Sequence, residues 1–212
     1  MKRQILTIFT IITVALTVNS CKDKAKEADT KEAEAVAITE VPSEKYIADV
    51  TASTIEWKGF KPTGTHNGTI NLDNGVFNMA DGKINSGTFL INMSSIKDAD
   101  GSARLEGHLK HADFFDVENH PSAAFEITGL EDVEGKTMLS GNLTLKDMKN
   151  NVTFPVTITN ENGAMTLTSD TFSIDRTKWD VQYGSKSIFK DLGDKFINDD
   201  IELKITVKAT KS

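Results

Sequence analysis

The stretch Leu139-Ser140-Gly141-Asn142-Leu143-Thr144-Leu145, followed after a short break by Val152-Thr153-Phe154-Pro155-Val156-Thr157-Ile158-Thr159, decides the fold class. Apolar residues hold every second position in most of it, with Ser, Thr or Asn between them. Successive side chains of a strand point to opposite faces, so this period sets one face on a core and the other in water, as in antiparallel sheet. The alternation recurs outward in both directions. Upstream lie Phe89, Ile91 and Met93, then Phe125 and Ile127; downstream lie Met165 and Leu167, Phe172 and Ile174, and the run Ile201, Leu203, Ile205, Val207. Asp73-Asn74-Gly75, Asp81-Gly82, Glu134-Gly135 and Asn162-Gly163 separate such runs and read as hairpin turns. Pro155 lacks an N–H, which predicts an edge or bulge position.

One segment breaks the period. Leu105 and Leu109 lie four apart within residues 102–112, which predicts a short amphipathic helix capped near Ser102. A second helical turn is expected over residues 187–192. About eight strands with one helical insertion exclude layouts that alternate strands with long helices. A sandwich and a closed up-and-down barrel remain, and a barrel of about eight strands has room for one small ligand.

Composition sets the outer bounds. The 212 residues carry 24 Lys and Arg against 31 Asp and Glu, a net charge of −7. Hydrophobic residues at 38% and charged residues at 26% exclude collagen, coiled coil and wholesale disorder. The acidic balance argues against a nucleic-acid partner. A single Cys excludes an intrachain disulfide and a zinc ribbon.

The chain divides into three parts. Residues 1–20 read as an export signal: Lys2 and Arg3 precede an uncharged apolar run over 5–18, too short to span a bilayer, which needs about 20 residues. Val18-Asn19-Ser20-Cys21 resembles a bacterial lipobox. That resemblance implies cleavage before Cys21, acylation of its thiol and amine with chains such as palmitate, and stable anchoring at the cell envelope. Lys22 after the Cys suggests an outer-membrane lipoprotein, periplasmic or surface-exposed. Residues 21–45 read as this lipidated Cys and a flexible charged tether of Lys, Glu, Asp and Ala. Residues 46–212 form the globular domain; all 14 Gly and both Trp lie within it.

Four segments of that domain together resemble one family. The first runs Leu105-Glu106-Gly107-His108-Leu109-Lys110-His111-Ala112-Asp113-Phe114-Phe115-Asp116-Val117-Glu118-Asn119-His120-Pro121, followed by Ala124-Phe125. The second is Gly141-Asn142-Leu143-Thr144-Leu145-Lys146-Asp147-Met148, where Asp147-Met148 departs from the common glycine-containing turn. The third is Phe172-Ser173-Ile174-Asp175-Arg176-Thr177-Lys178-Trp179, and the fourth Leu192-Gly193-Asp194-Lys195-Phe196-Ile197 with the last strand. They resemble the YceI-like lipid- or polyisoprenoid-binding proteins. The resemblance implies an all-β, extended, lipocalin-like antiparallel barrel that holds a long amphiphilic isoprenoid, such as a polyprenyl quinone, and carries no catalytic residue and no cofactor beyond that lipid.

On this reading the apolar strand faces line the interior: Phe89, Ile91, Phe125, Ile127, Leu143, Leu145, Phe154, Val156, Phe172 and Ile174. In a closed sandwich the same residues are plain core. Arg176, Lys178 and Trp179 are expected to meet a polar headgroup at a barrel mouth, or Arg176 and Lys178 to form ion pairs with Asp175 or Asp180. His108 and His111 near Asp113 read as exposed polar residues rather than metal ligands. Asp98, Asp100 and Glu106 fail the spacing of a calcium loop, so no metal is expected. Two Ser-x-x-Lys matches, at Ser94 and Ser187, lack the companion motifs of a serine hydrolase. Three function classes stand: a membrane-anchored, non-enzymatic binder of an isoprenoid- or quinone-type lipid, which leads; an enzyme such as a hydrolase at the barrel mouth, for which the sequence offers no recognisable nucleophile–base set; and a structural or adhesive surface lipoprotein with a filled barrel core.

Overall fold

The computed structural model describes residues 24–36 and 43–212. The signal and lipobox, with Cys21, lie outside the described residues.

Two short strands come first, β1 (Lys26–Glu27) and β2 (Asp29–Glu32). The domain then runs through β3 (Glu44–Ala48), β4 (Thr54–Lys61), β5 (Gly64–Ala80), β6 (Lys83–Asp98), helix α1 (Ala103–Lys110), β7 (Ser122–Val133), β8 (Lys136–Leu145), β9 (Met148–Glu161), β10 (Ala164–Ser169), β11 (Phe172–Asp175) and β12 (Asp200–Lys211). Strands β4 to β10 pair antiparallel in sequence order, omitting nothing but α1. β12 then pairs with both β10 and β4 and closes a ring of eight strands. Closure removes the sheet edges that would otherwise invite pairing with another chain. β3 crosses one end of the ring, paired to β5 and β12.

The turns follow the sequence signals with one exception. Asp81-Gly82, Glu134-Gly135 and Asn162-Gly163 all hold positive φ at both residues, as the tightest hairpins require. Asp73-Asn74-Gly75 is not a turn. It lies inside the 17-residue β5, where the register against β6 shifts between Leu72 and Asn74. Gly75 is needed there for close approach: a Cβ would stand 2.4 Å from the Phe89 ring. The bulge bends a strand too long to lie straight on a small ring. Pro155 occupies a seam: pairing of β9 with β10 ends at Val156, and pairing with β2 begins at Thr153. α1 has its cap at Ser102, whose Oγ accepts from Leu105 N–H at 3.3 Å. Of the turn expected over 187–192, a single hydrogen-bonded turn forms at 186–188, closed by Phe189 N–H on Ser185 O at 2.9 Å, and a short 3₁₀ turn follows at Gly193–Lys195.

The largest departure is the charged segment read as a flexible tether. Its residues 26–32 are wall. β1 runs parallel to β11, and β2 runs antiparallel to β9, in the slot left where β10 ends. Ala28 is buried and donates its N–H to Ser173 O at 2.8 Å. Asn142 brackets the end of the strap, accepting from Glu34 N–H and donating to Glu34 O. The strap is held by backbone pairing to open strand edges, which needs almost no apolar side chain. Replacing Ala28 by Asp buries an unpaired carboxylate there. Limited trypsin digestion at Lys26 and Lys31 should then speed up by about tenfold through local opening, while the ring stays folded. Unchanged cleavage would show that the strap does not depend on that contact.

Candidate functional site: an apolar cavity under a polar vestibule

The interior divides along its strands. Towards the β3 end it is filled. Phe154 stacks on Phe172 with ring centres 4.2 Å apart, Phe125 tilts against Phe154 at 5.9 Å, and Phe77 meets Phe89 edge-on at 4.7 Å. Ile127 and Val156 are buried in the same core. Towards the other end it is not filled, and α1, Phe114, Phe115, Ile197 and Asn198 border the space together with the strands. A cavity of about 130 Å³ lies here, lined almost wholly by apolar side chains, among them Ile70, Ile91, Met93, Leu143, Leu145 and Ile174. Beyond it opens a polar vestibule of about 610 Å³. Lys61, His66, Leu105, His108 and Ile197 line both spaces and form the neck between them. Arg104, Tyr183 and Lys195 complete the rim, with Tyr183 edge-on to His108 at 4.7 Å.

The interior residues expected from the sequence therefore fall into two sets. Ile91, Leu143, Leu145 and Ile174 line the cavity. Phe89, Phe125, Ile127, Phe154, Val156 and Phe172 do not; they belong to the packed core. Both sets share the inward phase of their strands. What separates them is height along the ring, which a period of two does not encode.

The three expected headgroup residues also part company. Arg176 borders the cavity but is fully buried, and its guanidinium is spent on main-chain carbonyls. It donates to Asn198 O at 3.0 Å, to Ile197 O at 3.1 Å and to Val181 O, and it lies 5.5 Å from the Phe114 ring centre. Burial lowers its pKa from the ordinary arginine value, while Asp199 and Asp175 oppose that shift; an arginine remains charged regardless. Trp179 is wholly buried and donates Nε1–H to Leu143 O at 2.9 Å. Lys178 points to the outer surface and pairs with Glu27 of the strap at 3.3 Å. Asp175 pairs with neither cation: its Oδ1 accepts from Thr177 N–H and Oγ1–H, capping the turn. Within the segment 175–179, Arg176 thus borders the cavity with its guanidinium already occupied, while Lys178 and Trp179 do not line it.

The rim residues Lys61, His66, Arg104, Tyr183 and Lys195 carry no signal of their own in the sequence. They stand on the β4–β5 hairpin, on helix α1 and in residues 181–198, and the fold brings these three segments together. α1 is fixed over the mouth by Glu106, which accepts from Lys97 Nζ at 2.8 Å and Asp98 N–H at 3.2 Å. Those two contacts hold its carboxyl below the ordinary glutamate value. Lys97, the lysine of the first Ser-x-x-Lys match, is committed to that pair. His111 Nδ1 meets Asp113 at 2.9 Å on the exposed surface, with His108 Nε2 3.8 Å from the same carboxylate.

A closed antiparallel ring of eight strands with an apolar interior is the architecture of small barrels, which either fill with side chains or hold one small ligand. The family model for the YceI-like domain matches residues 46–209, and the chain belongs to that family. A UPF0312 protein of Azotobacter vinelandii is 33% identical over 92 residues, which are 43% of this chain and 46% of that protein. The match thus spans about half the length of that relative. Among solved structures, Burkholderia cenocepacia BcnA aligns with a TM-score of 0.61 and 22% identity, over 77% of this chain and 99% of its own. A polyisoprenoid binding domain from Saccharophagus degradans aligns with a TM-score of 0.58 and 12% identity, over 79% and 98%. The Campylobacter jejuni YCEI protein aligns with a TM-score of 0.51 and 14% identity, over 96% and 99%. These structural likenesses establish a shared fold.

Proposed function

We propose that this protein binds, without chemical conversion, a long amphiphilic lipid of the isoprenoid type, a polyprenyl quinone or a related chain. The observation that carries the reading is the apolar cavity under a polar vestibule: it offers an oily slot for the chain and polar partners for a head. Removing hydrocarbon from water contributes about 25 cal/mol per Å², which retains such a chain without any specific polar contact. The open space takes a segment of chain, since a cavity near 150 Å³ admits one benzene-sized group. A longer tail extends through the neck at Leu105 and His108. The polyisoprenoid-binding neighbour supports this reading. Lipidation at Cys21 and an outer-membrane position would place the cavity beside its cargo, for storage, shielding or transfer at the cell envelope.

The aromatic stack of Phe125, Phe154 and Phe172 favours a second reading, a structural lipoprotein whose barrel is simply filled. Native mass spectrometry of the exported full-length chain, followed by solvent extraction, separates the two. Lipid binding predicts an adduct that releases a polyprenyl compound. It also predicts that Ala123→Phe, which fills the cavity, weakens lipid retention by at least about tenfold, equivalent to 1.4 kcal/mol. A clean apo mass, with no rise in thermal midpoint on adding quinones, would leave the filled barrel as the function.

A further inference from the structure

One side-chain cluster stands at the neck between the apolar cavity and the vestibule. His66, Asp98 and Asp100 each present a ligand atom, and these atoms all lie within 4.8 Å of one another. Their placement has a clear origin. His66 sits near the start of β5, Asp98 ends β6, and Asp100 stands in the turn that leads to α1. Pairing of Gly68 with Asp98, and the bond from Ala99 N–H to Asn67 O at 2.8 Å, hold the two strands together at this point.

Among the described residues, two atoms in the cluster lack any hydrogen-bond partner. Asp98 has a side chain only 1% exposed, and its Oδ2 accepts from Ser102 N–H at 3.1 Å. Its Oδ1 is buried and bonds nothing, and so does the buried Nδ1 of His66 that faces it. They lie 3.7 Å apart, too far for a hydrogen bond. Leaving both atoms dry and unpaired is costly. The separation does fit two ligands on one tetrahedral metal ion, where bonds of about 2.1 Å put ligand atoms roughly 3.4 Å apart. Asp100 is exposed on its turn, and its carboxylate, within 4.8 Å of both, offers the third ligand oxygen.

We infer that His66, Asp98 and Asp100 form a site for a divalent transition-metal ion of the zinc class. One imidazole nitrogen and two carboxylate oxygens suit a borderline ion better than calcium, which takes six to eight oxygens. Three protein ligands leave a fourth position open, and His66 also lines the vestibule, so that position lies at the cavity mouth. The two aspartates carry the negative charge that offsets the ion. This assignment does not rest on the lipid reading.

The test is zinc chloride titrated calorimetrically into the full-length chain in detergent after chelator treatment, with bound metal counted by mass spectrometry. One equivalent per chain is expected. His66→Ala and Asp100→Asn should each weaken it by at least about tenfold, the scale seen when outer-shell partners alone are removed. Asp100→Asn alters an exposed turn residue and keeps the test independent of folding, which circular dichroism verifies for both variants. Cys21→Ser should leave the equivalent in place. No zinc uptake, uptake unchanged in His66→Ala, or uptake lost only in Cys21→Ser would each overturn the assignment.

Discussion

Arg176→Met is expected to lower the free energy of unfolding by about 3–5 kcal/mol, read as a fall in the urea midpoint at constant slope. Methionine fills much of the same volume, so the loss is not one of packing. It comes from the acceptors. Three main-chain carbonyls, those of Val181, Ile197 and Asn198, turn inward to one guanidinium, and each is left without that donor. Asp199 Oδ1, 3.6 Å from the guanidinium and without a hydrogen-bond partner among the described residues, loses its neighbouring charge as well. An apolar replacement of a buried ion pair can be neutral when both partners are removed. Here the partners are backbone and stay. Arg176→Lys keeps the charge but not the planar fork of donors, and should fall between the two. Residues 181–198 close one side of the mouth, so proteolysis within that segment should rise in parallel. A loss under 1 kcal/mol for Arg176→Met would show that the guanidinium is not the clamp of this segment.

Gly68→Ala should be as damaging for a different reason. Gly68 sits where β4, β5 and β6 press together, paired with Trp57 on one side and Asp98 on the other. A Cβ at this position would lie 1.7 Å from the carbonyl oxygen of Lys97 and 3.0 Å from the Trp57 ring. The obstacle is backbone, so no rotamer change relieves it. β6 must move away, and the bond from Trp57 Nε1–H to Lys97 O at 3.2 Å goes with it. Overpacking of this kind costs about 1–3 kcal/mol, and the broken pairing should take it to about 3 kcal/mol or more. Gly59→Ala, nine residues away in the chain and with nothing within 4 Å of the added carbon, should stay within about 0.5 kcal/mol of the parent. Equal midpoints for the two variants would refute the close-approach argument.

Much of the fold was legible because its signals are local. The alternation at Leu139–Leu145 and Val152–Ile158, the paired positive-φ turn residues and the Ser102 cap each act within a few positions. Asp73-Asn74-Gly75 misled because a glycine after two turn-formers looks the same whether it serves φ freedom or close approach to a ring. The strap misled because a polar segment gives no burial pattern, while open strand edges can still capture its backbone. The segment 175–179 misled differently. Arg, Lys and Trp in sequence look like a headgroup site, and the 3₁₀ turn sends each in its own direction.

The sequence by itself determined the alternating antiparallel strands, the single capped helix and the inward phase of the apolar residues, because strand pleat and turn chemistry depend on near neighbours. Tertiary structure alone decided which inward residues fill the ring and which border a cavity, because that depends on height along strands from distant parts of the chain. It also decided that His66 meets Asp98 and Asp100, and that Arg176 serves carbonyls instead of solvent. Ring closure sets those distances, and no spacing along the chain encodes them.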